Sequence, residues 1–190
     1  MVLLFMIFQI EKSKIVYSNI YDEQYRDSFN KVREIYLREK IMEEYLFLKR
    51  EESDKKKIAH NIIPQGLFAK NYFIENNNNN SNKDIYVTDK DKFDTKYEGV
   101  IIVNKENIFK EEQNVLWKYH LGHCFVLVCN KHENLQMALN FISILQLFLH
   151  KDNISKIDFL IPTIDILLPS GQLVFMTVEY AKHLMKHINI

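Results

Sequence analysis

His132-Glu133 could open a metal-binding helix, in which a second histidine one turn later completes the ligand pair and the glutamate serves as base. Position 136 is Gln and no second histidine follows, so that site is not completed. His120 and His123 fall on opposite sides of a strand or across a turn, and with Cys124 they make no ligand set. Pro169-Ser170-Gly171 lacks the Gly-x-Ser-x-Gly frame that holds a nucleophilic serine on a sharp turn. No glycine-rich loop could cradle phosphate, which sets aside the nucleotide-binding folds that depend on one. Carboxylates are plentiful but scattered over helix faces. The sequence assigns no catalytic, cofactor-binding or metal-ligating residue, and the expectation is a protein that is not an enzyme and holds no cofactor.

Composition implies that any binding is local and not steered by bulk charge. Among 190 residues, Lys plus Arg and Asp plus Glu both count 25, so no net field recruits nucleic acid or an anionic membrane. Aromatic residues are common and glycine is rare, as in a compact domain of mixed α and β structure. The only cysteines, Cys124 and Cys129, are five apart on one predicted strand, so their side chains point to opposite faces and cannot bridge. Buried, reduced thiols in a cytosolic protein are expected. Val2–Phe8 lacks the basic start and small-residue cleavage site of a signal peptide and is too short to span a bilayer. The helix over 135–149 is interrupted by Gln136, Asn140, Ser143 and Gln146. A soluble chain with at most peripheral membrane residence is expected.

The elements that would position any site are organised around 114–151. Asn114–Leu121 alternates, with Val115, Trp117 and Tyr119 on one face and Lys118 and His120 on the other, which predicts a half-buried strand. Leu121 and Gly122 form a tight turn, for which Gly supplies the unusual φ. His123–Cys129 is apolar on both faces, as in a central strand. Asn130 then predicts a helix cap, closed by Glu133 as a capping box.

Earlier in the chain, Val2–Ile10 reads as a second central strand, and 15–18 as its hairpin partner. Asp22 predicts the cap of a long helix reaching about Glu52, with Tyr25, Phe29, Val32 and Tyr36 and then Leu37, Ile41, Tyr45 and Leu48 inward. The stretch 53–98 carries the run Asn76–Asn80 and reads as a disordered insertion in an otherwise single domain over 1–190. Strand character resumes over 99–103. Pro162 predicts the start of a short helix to Leu168, and Thr177 caps the last helix.

The helix after Asn130 is apolar over an unusual width. Leu135, Ala138, Leu139, Ile142, Leu145 and Leu149 suffice for a sheet, and Met137, Phe141, Ile144 and Phe148 make a second stripe beside them. That second stripe is the candidate subunit interface, to be met by another protein or by another helix of this chain.

The order β-β-α-loop-β-β-β-α-α resembles a longin-like domain: an α/β (α+β) fold with a five-stranded, mainly antiparallel sheet and helices on both faces. The run from Gly99 through Glu106-Asn107, Phe109, Val115 and Trp117 to Gly122 and Phe125 is similar to the sigma subunit of adaptor protein complex 5. The similarity continues at His132-Glu133-Asn134-Leu135, at Leu168-Pro169, at Gly171-Gln172-Leu173 and at Phe175, with Val16-Tyr17-Ser18 and Leu37-Arg38 earlier. These motif residues are expected to be structural.

The resemblance implies a small subunit of a heterotetrameric adaptor with large zeta and beta subunits and a medium mu subunit. It further implies association with spatacsin and spastizin, peripheral residence on late endosomes and lysosomes, and retrieval toward the Golgi. The small domain would stabilise the helical solenoid of the zeta subunit. Rival readings are a longin-type subunit of a tether or GTPase-exchange complex and, further off, a small cytosolic enzyme.

Overall fold

The computed structural model describes residues 1–27, 30–62, 97–104, 108–150 and 153–186. Along the chain run β1 (Val2–Gln9), β2 (Lys14–Ile20), α1 (Asn30–Ile62), β3 (Glu98–Val103), β4 (Gln113–His120), β5 (His123–Asn130), α2 (Leu135–Phe148), α3 (Ile157–Leu167) and α4 (Val178–Met185). The five strands form one open sheet in the order β2-β1-β5-β4-β3, antiparallel at every junction. This is the α+β longin-like arrangement expected from the sequence.

Two compact units divide the chain. One comprises Met1–Tyr45 with Phe93–Ile190, the other Leu46–Lys92. In the first, β1 and β5 are buried along nearly their whole length, so the runs that are apolar on both faces do become the inner strands. One sheet face carries Val2, Phe5 and Ile7 of β1, Leu116 of β4, and Phe125, Leu127 and Cys129 of β5. These share a core with Ala138, Ile142 and Leu145 of α2, Leu160 and Ile164 of α3 and Ala181 of α4.

The opposite face is covered by the first half of α1. Its buried residues are Arg33, Leu37, Ile41 and Tyr45, one every four positions. Tyr45 stacks on Tyr119 of β4 with ring centroids 5.3 Å apart. Trp117, fully buried, donates its indole N–H to Glu44 Oε2 at 2.7 Å. Gly99 makes room for this contact: a Cβ there would sit 2.7 Å from the indole nitrogen and 2.8 Å from Glu44 Oε1.

The inward stripe of α1 differs from the one read from apolar residues alone. Val32 is 46% exposed, while Arg33 takes the buried position. Burial of Arg33 is tolerated because its donors are used. Nε donates to the Ile108 carbonyl at 2.6 Å, and Nη1 to the Tyr25 carbonyl at 2.9 Å. Asp27 takes two further bonds in bidentate fashion, at 2.7 and 2.9 Å. Phe29 lies outside the described residues.

Other boundaries move for local reasons. Asp22 caps a short 3-10 turn over Glu23–Tyr25 instead of the long helix, which starts at Asn30. That helix continues past Glu52 to Ile62, since the first helix breaker in the sequence is Pro64. Asn130 ends β5, and the cap of α2 is Asn134, whose Oδ1 accepts from the N–H groups of Gln136 and Met137. α3 starts at Ile157, so Pro162 lies inside it. Thr177 does cap α4, its Oγ1 accepting from Tyr180 N–H at 3.2 Å.

In the second unit the described residues are the remainder of α1, where Lys55 pairs with Glu51 one turn away at 3.6 Å. Most of the expected insertion, with the Asn76–Asn80 run, lies outside the described residues. Among the described residues no helix is long and apolar enough to cross a membrane.

The β4–β5 hairpin turns on Leu121 and Gly122, at φ 49° and 83°. Both positive values match the turn type that follows the twist of paired strands, for which Asn-Gly is favoured. A leucine at positive φ is strained, and Leu121 is 39% exposed. Leu121→Asn is therefore expected to stabilise the chain by about 0.5–1 kcal/mol, read as a higher urea midpoint at unchanged slope.

Candidate interaction surface

α2 is the element from which a partner site was expected, and the structure divides its second stripe. Phe141 is 5% exposed and Ile144 is 2% exposed, both inside the core that α2 shares with α3 and α4. Phe141 meets Phe5 of β1 edge-on, with centroids 5.7 Å apart and planes at 80°. Met137 and Phe148 are half-buried. Burial thus divides the candidate stripe: Phe141 and Ile144 lie in the chain's own core, and Met137 and Phe148 near its two ends are half-buried.

Exposed apolar side chains lie elsewhere. Ile157 and Ile161, one turn apart on α3, are 55% and 40% exposed. The extended stretch 172–177 presents Val174 and Phe175, the latter 75% exposed, and Tyr180 of α4 adds to them. Asn140 of α2 donates its side-chain N–H to the Met176 carbonyl at 2.9 Å, which ties this stretch to α2 within a turn of Met137. Phe175 is legible in the sequence as a motif residue but not as an exposed one. Its neighbours Leu173 and Met176 are at least half-buried, and the apolar run hides which member faces out.

The remaining motif residues act within the chain. Trp117 is the buried anchor under α1, and Gly122 supplies the hairpin's positive φ. His132 is exposed, Glu133 pairs with the amino group of Met1, Asn134 is the α2 cap, and Leu135 opens the helix half-buried. Leu168 is buried, and Pro169 begins a 3-10 turn ending at Gly171. Gly171 has φ 76°, and a Cβ there would come within 2.6 Å of Tyr21 and 3.0 Å of the Val2 carbonyl, so that turn packs directly on the edge of the sheet. Gln172 is exposed and Leu173 half-buried.

Side chains that could do chemistry are likewise engaged. His123 bonds through Nδ1 to the Leu121 carbonyl at 2.9 Å. A carbonyl only accepts, so Nδ1 carries the proton and the ring braces its own hairpin. Burial pushes the Cys124 thiol well above its usual range and that of Cys129 up to about 12, which keeps both protonated and inert. Among the described residues no three His, Cys, Asp or Glu side chains gather as a metal site.

Exposed apolar side chains thus lie on α3, on the 172–177 stretch and at the start of α4. A family model described as AP-5 complex subunit sigma-1 matches residues 1–189. The chain belongs to that family. No curated protein matches it. As a sigma-type subunit it is a small component of an adaptor complex, and other adaptor subunits are its partners. The match runs through β1, the hairpin, α2 and the 172–177 stretch alike, so both the buried and the exposed motif residues fall within it.

Truncation separates the two kinds of aromatic. Phe141→Ala is expected to cost about 3–5 kcal/mol of stability, as for other buried aromatics. Phe175→Ala is expected to change stability by no more than about 0.5 kcal/mol, as at exposed sites without special contacts. Urea titration of the two variants checks both.

Proposed function

We propose that this chain is the non-catalytic sigma subunit of an AP-5-type heterotetramer that serves endosomal transport. Its partners are the large zeta and beta subunits and the medium mu subunit, with spatacsin and spastizin joining the assembly. It resides peripherally on late endosome and lysosome membranes and takes part in retrieval toward the Golgi. The observation that carries the reading is the family match along residues 1–189.

Mechanically the role is to dock on the zeta solenoid and hold its bend. The proposed dock combines the half-buried ends of the wide helix, Met137 and Phe148, with the exposed Val174 and Phe175. Phe141 and Ile144 support it from beneath by fixing α2 on the sheet. Exposed aromatics that become buried on association are the residue type that carries most interface energy.

Affinity purification of the tagged chain from its own cells, with mass spectrometry, is the test. Zeta, beta and mu subunits are expected in the eluate, and Phe175→Ala is expected to reduce the recovered zeta subunit about tenfold, equivalent to about 1.4 kcal/mol of binding. Recovery of a small GTPase or tether subunits instead, or of the chain alone, would refute the reading.

A further inference from the structure

The two edges of the sheet are built differently. β2 is half-buried along almost its whole length, and the pairing of β1 with β2 shifts register between Ile7 and Phe8, an irregularity that blunts an edge. Among the described residues β3 pairs with β4 alone. Its register with β4 runs without interruption from Glu98↔Lys118 to Val103↔Gln113, and it contains no proline and no lysine.

The ladder fixes which backbone groups of β3 point away from the sheet. Tyr119 N–H donates to the Tyr97 carbonyl at 2.8 Å, which makes that pair a hydrogen-bonded one. By alternation Gly99, Ile101 and Val103 also bond to β4, and Glu98, Val100 and Ile102 direct their N–H and C=O groups outward. Among the described residues no strand lies beyond them. These same positions carry exposed apolar side chains: Val100 is 44% exposed and Ile102 is 63% exposed. Glu98, at the end of the row, faces Lys118 on its inner side at 3.0 Å and is open on the other.

From this juxtaposition we propose that β3 is a β-augmentation site for an extended segment of another polypeptide. The segment lies antiparallel to β3 and reads apolar-x-apolar-x-basic from its N-terminal end. Its apolar residues stand opposite Ile102 and Val100, and its Lys or Arg opposite Glu98, extending the Lys118–Glu98 pair into a three-strand ladder. The outward groups of β3 select an extended backbone, the two aliphatic side chains select its alternation, and the carboxylate selects its charge. A second copy of this chain fits less well. The outward positions on an approaching β3 are Glu98, Val100, Ile102 and then Asn104, none of which brings a cation to Glu98.

The test uses the purified full chain, isotope-labelled for amide detection, and the end-capped peptide Thr-Val-Thr-Val-Thr-Lys-Thr. Saturable shifts and new exchange protection are expected at the amides of Glu98, Val100 and Ile102, and not at Gly99 or Ile101. Ile102→Pro removes one outward N–H without touching the bonds to β4, and should weaken binding at least about tenfold at unchanged Tm. Should that variant unfold, Ile102→Lys serves in its place. Glu98→Lys should weaken this peptide and favour one with Glu replacing its Lys. The proposal falls if no saturable binding occurs, or if Ile102→Pro binds as well as the parent. It falls equally if the three amides are already protected in the free monomer, which would mean that the chain covers its own edge. A dimer that Ile102→Pro dissolves would give the edge to a second copy and also overturn it. None of these outcomes depends on whether adaptor subunits co-purify.

Discussion

Burial of β1 and β5 on both faces is the constraint from which the rest of the structure follows. From Val2 to Phe8 and from Cys124 to Cys129 the described side chains are nearly or wholly out of solvent. Strands of that kind cannot lie on the surface of a sheet that is wetted on one side, so a helical layer is needed above and below. The chain supplies the two layers unequally. Among the described residues one face receives the first half of α1, and the other receives α2, α3 and α4 together.

The first half of α1 approaches its face closely, and it does so with polar contacts as much as apolar ones. Gly99 removes the side chain that would hold the helix off β4, and the Trp117–Glu44 bond then satisfies an indole N–H that burial would otherwise leave unpaired. Arg33 ties the start of the helix to the segments around Tyr25 and Ile108, using a guanidinium whose donors meet carbonyls and a carboxylate. Truncating Arg33 takes donors away from the Ile108 and Tyr25 carbonyls and is among the costlier changes a fold of this size can suffer. On the other face the layer is apolar and thicker. There the width of α2 serves to meet both the sheet and α3, which is why its second stripe is internal at Phe141 and Ile144.

Those facts mark what could be read from sequence. The hairpin at Leu121-Gly122 and the inner position of β1 and β5 follow from alternation and from runs apolar on both faces, both local signals. The stripe of α1 does not, because a count of apolar residues passes over Arg33, and its burial depends on the distant Ile108 carbonyl. The cap of α2 was displaced by four residues, since Asn130 and Asn134 carry equal capping chemistry and only the length of β5, set by pairing with Gln113, decides between them. An apolar stripe on a helix has the same sequence pattern whether an α3 of the same chain or a foreign protein covers it, and that choice is made by tertiary packing alone.

The distribution of reactive groups argues in the same direction as family membership. His123 braces a turn, Glu133 holds the amino terminus, Glu44 satisfies an indole and both thiols are buried. Each of the groups named here has a structural partner or is shielded from solvent. Outside, by contrast, the exposed apolar side chains of the first unit include Val174, Phe175 and Tyr180 toward the C-terminal end and Val100 and Ile102 on the last strand of the described sheet. A domain that engages its polar chemistry internally and leaves aromatic and aliphatic groups facing out is arranged for assembly, because apolar area gains free energy only when a partner removes it from water.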